Sequence, residues 1–392
     1  MEFKRPKRDL SKEVREVIES KESSIEGESY DLIESYDASD LISSGSTLVN
    51  LACSGMIEGA YYLGGVINLI SPSGIGKTLM ALTLNAEAAS DKRFNKYFLE
   101  YNEPEAAMHF PIKSMFGEET ADRLVFTPKD RSKPYTVQMW HNDVYENFVT
   151  KKRKMIHVTD SFDALTSEDD LKSTKKDGKE KMGKGGYKTE KAIVSSATFP
   201  KIVGLVEKTK SVMMVIFQTR RNIGGGLFGP QLCHSGGDAH KFYATIEGWL
   251  EPRGKIKQKV RGVDEEIGNW VNVKISKSKL TGLKRSVRIR IMDRYGIDDI
   301  GSCIEWLTDR GFWGLKKKVD DELDDEEDFD EDEKKKGKVI DTKGDFDISG
   351  KLESVIKYIE KNNYENDLKE IVKKAWYEIE GELEPKRKPK YR

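Results

Sequence analysis

The feature that most constrains this chain is the short run Ser71-Pro-Ser-Gly-Ile-Gly-Lys-Thr78. Ahead of it, Val66-Ile-Asn-Leu-Ile70 reads as a buried strand; behind it, Leu79 to Ala89 reads as a helix. A strand, a glycine-turned loop and a helix in succession gather backbone N–H groups and a helix N-terminus around one point, which suits a phosphate. A chance Gly-Lys-Thr on a surface loop is common, but one between a strand and a helix is not. Ser71, Ser73, Gly74 and Gly76 are the expected cradle. Lys77 is placed to reach the β and γ phosphates of ATP, and the Thr78 hydroxyl to ligate Mg²⁺. Ser71 stands where the motif usually has its first glycine. If that position needs φ > 0, a serine there is strained.

A second run, His157-Val-Thr-Asp-Ser-Phe-Asp-Ala-Leu165, closes another apolar strand, Met155 to Thr159. A lone aspartate at a strand end usually caps the next turn. Paired with the phosphate loop, Asp160 is read as the carboxylate holding Mg²⁺ from its second side. Lys96 to Glu100 and Val212 to Phe217 are further strand candidates. Strand-like runs alternating with helical stretches predict an α/β core, a mainly parallel sheet flanked by helices.

Four parts are expected. Residues 1–40 form an N-terminal arm with a helix candidate near Leu10 to Glu19, read as a subunit contact. Residues 41–315 are the core, 316–345 an acidic disordered linker, and 346–392 a small helical region with a basic tail. The net charge is only −1, yet residues 319–333 are almost wholly acidic, so local asymmetry matters more than the total. Cys53, Cys233 and Cys303 match neither a metal-site spacing nor a disulfide framework. No run approaches the length of a membrane span and no apolar leader follows Met1, so a cytoplasmic protein, of a bacterial or phage-infected cell, is expected.

With these motifs in view, the sequence resembles the RecA family, bacterial and phage types together. Leu41-Ile-Ser-Ser-Gly-Ser-Thr-Leu-Val-Asn-Leu-Ala52 is similar to the family's entry segment, and Asp160-Ser161 with Ala164-Leu165 to its Asp-Ser-Val-Ala-Ala-Leu. The most specific match is Gly236-Gly-Asp-Ala-His-Lys-Phe-Tyr-Ala244; Val273-Lys-Ile-Ser-Lys-Ser-Lys279 adds another. The resemblance implies a RecA-type core, a filament assembled on single-stranded DNA under ATP, and pairing with a homologous duplex. Single-strand-binding or loader proteins are further implied partners, and a membrane is not.

The family's water-orienting glutamate follows a short strand, but here Phe98-Leu-Glu-Tyr-Asn-Glu-Pro-Glu105 is one residue longer than expected. Counting forward from the strand gives Asn102. Counting back from the aromatic that stacks on adenine, matched to Phe110, gives Glu103. Glu103 is adopted, with Glu100 and Glu105 as rivals. Gln218 matches the γ-phosphate sensor, and Lys277 and Lys279 match a pair reaching the neighbouring subunit's nucleotide; without the resemblance, alternate lysines on a strand read as a solvent-facing edge.

After Gln218 comes a glycine-dense stretch carrying Arg220, Arg221, Ile223, Leu227 and Phe228. Guanidinium groups neutralise phosphates, and apolar side chains stack or wedge between unpaired bases. It resembles the family's second DNA loop. The lysine-rich run Lys172 to Lys191, including Lys184 and Lys188, falls where the first DNA loop is expected, and Lys241 is a further DNA-contact candidate. Two rivals remain: a RecA-fold ATPase of another branch, such as a ring helicase, and a DNA-binding filament scaffold with a weak or dead ATPase.

Overall fold

The computed structural model describes residues 36–168, 171, 189–221, 232–234, 239–316 and 339–387. The helix candidate at Leu10 to Glu19, the acidic run and the tail beyond 387 lie outside these residues. Ala38–Arg392 is one compact unit, and it holds the sheets and helices of the core together with the C-terminal helices.

Among the described residues the main sheet has ten strands. Nine form its path: β1 (Val66–Ser71), β2 (Phe98–Asn102), β3 (Leu124–Thr127), β4 (Met155–Thr159), β5 (Val212–Arg221), β6 (Ile246–Val260), β7 (Val263–Ser278), β8 (Arg285–Met292) and β9 (Gly296–Asp298). Their spatial order is β9-β8-β7-β6-β1-β5-β4-β2-β3. From β3 to β6 every pairing is parallel; from β6 to β9 every pairing is antiparallel. The tenth strand, Leu232–His234, pairs antiparallel with the end of β5.

Strands β1 and β5 are covered on both faces, which is why they read as unbroken apolar runs. Ile67, Leu69, Met214 and Ile216 face one core, with helix Lys77–Ser90. Val66, Ile70, Met213, Val215 and Phe217 face the other, with Trp140 and Phe199. The parallel register brings Ser71 level with Gln218 and Asn102 level with Thr159. The carboxyl ends of β1, β2, β4 and β5 therefore meet at one rim, the usual ligand edge of an open α/β sheet.

Three boundaries differ from the sequence reading. Strand β2 starts and ends two residues later than expected, at Phe98 and Asn102, because Phe98 N–H bonds to the Lys154 carbonyl ahead of β4. Strand β5 continues past Gln218 to Arg221, since Leu232–His234 pairs with its last residues. Val339–Asp341, placed in the acidic linker on composition, is a strand between Gly314–Lys316 and Ser349–Gly350.

The C-terminal helices Leu352–Asn362 and Glu365–Leu383 share the first core: Val355, Ile359, Leu368, Val372, Ala375 and Trp376 are buried in it. Trp376 stacks on Trp306 at 5.8 Å, Arg285 pairs with Glu380, and Tyr377 OH donates to the Gly55 carbonyl.

Candidate nucleotide site and its adjoining segments

The loop after β1 turns on two glycines. Gly74 has φ +79° and Gly76 φ +107°, and a Cβ on Gly76 would stand 2.6 Å from Ile291 Cδ1. Ser71 is not strained: it is the last extended residue of β1, so the positive φ angles fall later in the loop. Its hydroxyl is instead part of the site. Lys77 Nζ donates to Ser71 Oγ and Ser71 O, both at 3.0 Å, and to Pro72 O at 2.6 Å. Burial lowers the pKa of the Lys77 ammonium below the ordinary lysine value, and the carboxylates of Asp160, Asp163 and Glu105 oppose that shift.

Asp160 follows the last residue of β4. Its Oδ2 accepts from Thr78 Oγ1 at 2.6 Å and from Tyr101 OH at 2.7 Å. Burial, then the Asp160 charge, holds the Tyr101 phenol well above its usual pKa, so Tyr101 keeps its proton and donates it to Asp160. A hydroxyl and a carboxylate oxygen side by side are hard ligands that fit Mg²⁺, which takes few protein ligands and completes its shell with phosphate and water. Among the described residues no cluster of three His, Cys, Asp or Glu side chains could hold a metal. The pair Thr78 and Asp160 therefore suits a cation shared with a nucleotide.

The four residues weighed after Phe98 have four different surroundings. Glu100 is buried, with Oε2 2.8 Å from His157 Nδ1 and Oε1 accepting from Thr127 Oγ1. Asn102 is buried and donates to Thr127 Oγ1. Glu103 Oε1 accepts from Ala107 N at 2.7 Å, and its Oε2 is 3.1 Å from Arg131. Glu105 Oε1 accepts from Ser161 Oγ at 2.7 Å and from Gln218 Nε2 at 3.1 Å. Of these four, only Glu105 is hydrogen-bonded to Gln218. Phe110 lies in the following loop, 38% exposed.

Gln218 is level with Ser71 across the β1–β5 pair, and its backbone N–H donates to Asp163 Oδ2 at 2.7 Å. Lys277 folds inward: its ammonium donates to the Lys241 carbonyl and, at 3.1 Å, to that of Phe242. Lys279 and Lys241 are exposed. Arg220 and Arg221 lie on β5, opposite Cys233 and Leu232. Lys184, Lys188, Ile223, Leu227 and Phe228 lie outside the described residues. Ser73 is exposed on the loop.

Sequence reasoning missed Tyr101, Ser161 and Asp163. Tyr101 shares a face of β2 with Leu99, and its hydroxyl ends at Asp160 because β2 neighbours β4. Ser161 and Asp163 lie in a motif that was read only for Asp160.

A parallel sheet with a glycine-turned lysine loop on one strand and a magnesium-suited aspartate on the next but one defines a P-loop α/β protein. The family model for the RecA N-terminal domain matches residues 23–298, and the chain belongs to the RecA family. Protein RecA of Zymomonas mobilis is 26% identical over 266 residues, 68% of each chain. Protein RecA of Bacteroides thetaiotaomicron is 25% identical over 278 residues, 71% of this chain and 76% of that one. Protein RecA of Borrelia turicatae is 30% identical over 266 residues, 67% of this chain and 66% of its own.

Proposed function

We propose that this protein is an ATP-dependent DNA recombinase that assembles as a filament on single-stranded DNA and pairs it with a homologous duplex. The observation that carries the reading is a chain of hydrogen bonds from the phosphate loop outward. Thr78 bonds Asp160, Ser161 bonds Glu105, Glu105 bonds Gln218, and β5 runs from Gln218 into the glycine-dense segment. A γ-phosphate beside Gln218 competes for its amide, so nucleotide state reaches that segment through a single strand.

In this mechanism the loop N–H groups and Lys77 hold the phosphates. Mg²⁺, when bound at Thr78 and Asp160, neutralises charge on the phosphate oxygens. Glu105, rather than Glu103, orients the attacking water: Glu103 Oε1 accepts the Ala107 N–H and Arg131 stands 3.1 Å from its Oε2, whereas Glu105 is hydrogen-bonded to the sensor Gln218. Lys277 and Lys279 serve the nucleotide of an adjacent subunit, for which Lys277 must leave the Lys241 and Phe242 carbonyls. Ile223, Leu227 and Phe228 contact bases, while Arg220, Arg221, Lys184, Lys188 and Lys241 meet phosphates. Sequence recognition is left to base pairing. A cytoplasmic setting belongs to this proposal; among the described residues no helix is long and apolar enough to cross a membrane.

The scaffold reading gains an observation only if Glu103, and not Glu105, is the water-orienting residue: Arg131 Nη2 then stands 3.1 Å from its Oε2. Phosphate release measured with and without single-stranded DNA separates the two. A recombinase shows ATP turnover stimulated by DNA, together with joint-molecule formation on a homologous duplex. A scaffold binds DNA with no turnover.

A further inference from the structure

The short turn Phe162–Ala164 follows Asp160 and its N-cap Ser161, and is bonded on both sides. On one side Asp163 Oδ2 accepts the backbone N–H of Gln218. On the other lies Lys191, near the start of helix Thr189–Lys208 and the last residue of the lysine-rich run. The Lys191 ammonium donates to Phe162 O at 2.5 Å, Leu165 O at 2.8 Å and Asp163 O at 3.3 Å. It also stands 4.9 Å from the centre of the buried Phe162 ring. An ammonium has three donors, and three carbonyls of a turn that ends at once receive them. A charge over an aromatic face adds to the hold.

We propose that Lys191 is a positioning residue that couples helix Thr189–Lys208 to the nucleotide site, through the turn that carries Asp160 and Ser161 at its head. The inference rests on the proposed function as a DNA-dependent ATPase. It removes Lys191 from the set of phosphate contacts. The ammonium is engaged with the protein's own carbonyls, and pulling it toward DNA breaks all three of those hydrogen bonds. The turn is bonded to helix Thr189–Lys208 through Lys191 and to β5 through Asp163. A displacement of the first reaches Asp160 and, through Ser161, Glu105.

The test uses the full chain, a single-stranded oligothymidylate and ATP. Lys191→Met keeps the apolar stem and removes the charge; Lys191→Gln keeps two donors without charge; Lys191→Arg keeps charge and several donors. Phosphate release is measured with and without the oligonucleotide, and binding is followed by fluorescence anisotropy across salt concentrations. The ratio of stimulated to unstimulated turnover should fall roughly tenfold in Lys191→Met, within the usual range of coupling between sites. Lys191→Gln should fall between that variant and the parent, and Lys191→Arg should recover most of the ratio. The salt slope of binding should be the same in all four proteins. A slope reduced by about one in Lys191→Met, with the ratio kept, overturns the proposal and makes Lys191 a phosphate contact. Stimulated and unstimulated turnover falling in equal proportion also overturns it, leaving a structural brace. A parent protein with no DNA stimulation removes the functional reading, and this inference with it; that failure is read in the parent arm and not in the variants.

Discussion

At the residue scale the chemistry turns on which carboxylate meets Gln218. Glu105→Gln should slow DNA-stimulated phosphate release by about 10²-fold, the scale of a positioned acid–base group, while leaving ATP-dependent DNA binding in place. Glu103→Gln should slow it far less and should instead lower stability, because Ala107 N–H and Arg131 lose a charged partner. The same phosphate-release assay decides; the larger loss in Glu103→Gln would show that Arg131 swings away in the working enzyme. Lys77→Ala should abolish turnover with little change in the melting curve. Its ammonium bonds Ser71, the last residue of β1, and Pro72 beyond it, so no pairing within the sheet depends on it.

At the scale of elements, a buried polar pair joins β2 to β4. Burial alone raises the pKa of Glu100, but the hydrogen bond and charge of His157, helped by Thr127 and Arg153, hold it below the usual carboxylate range. A depressed carboxyl stabilises the fold above its unfolded pKa, about 4.3, and loses that contribution as pH falls through the folded value. Denaturant titrations should therefore find Glu100→Gln less stable than the parent at neutral pH, with the gap narrowing below about pH 4. A gap independent of pH would mean that the pair contributes packing and no charge. The C-terminal helices offer a second test. Trp376 stacks on Trp306 within the first core, so Trp376→Ala should cost about 3–5 kcal/mol and lower the melting temperature of the whole core. A separate low-temperature transition, with the core unaffected, would make the C-terminal region an independent domain.

At the scale of the whole molecule, one nucleotide site completed by two subunits, as proposed, has a consequence for mixtures. Lys77→Ala and Lys279→Ala each disable one side of a head-to-tail interface. In an equal mixture about a quarter of interfaces join an intact loop to an intact lysine, so turnover should return to roughly that fraction of the parent's. No recovery on mixing would place Lys279 in the same subunit's chemistry or in none. Charge acts at this scale too. The run Asp320–Glu333 competes with DNA for basic segments if it mimics phosphates. Deleting residues 320–333 should then tighten oligothymidylate binding at about 0.05 M salt, and the gain should fade as screening shortens. Unchanged affinity would leave the run a role in solubility alone.

The phosphate loop, the strand-terminal Asp160 and the parallel core were legible in the chain itself, because each depends on neighbours within a few residues. Glycines permit the positive φ of Gly74 and Gly76, and unbroken apolar runs mark strands buried on both faces. The choice among Glu100, Asn102, Glu103 and Glu105 was not legible. Strand alternation ends at Asn102, and beyond it side-chain direction depends on groups distant in sequence. Arg131 holds Glu103, while Gln218, 113 residues away, meets Glu105. Likewise, nothing in the spacing of lysines distinguished Lys191, whose role follows from three carbonyls of a turn 26 to 29 residues earlier. Local conformational preference determined the elements and the phosphate cradle. Which polar groups meet at the rim was decided by the register of parallel strands, since only the assembled sheet brings their ends together.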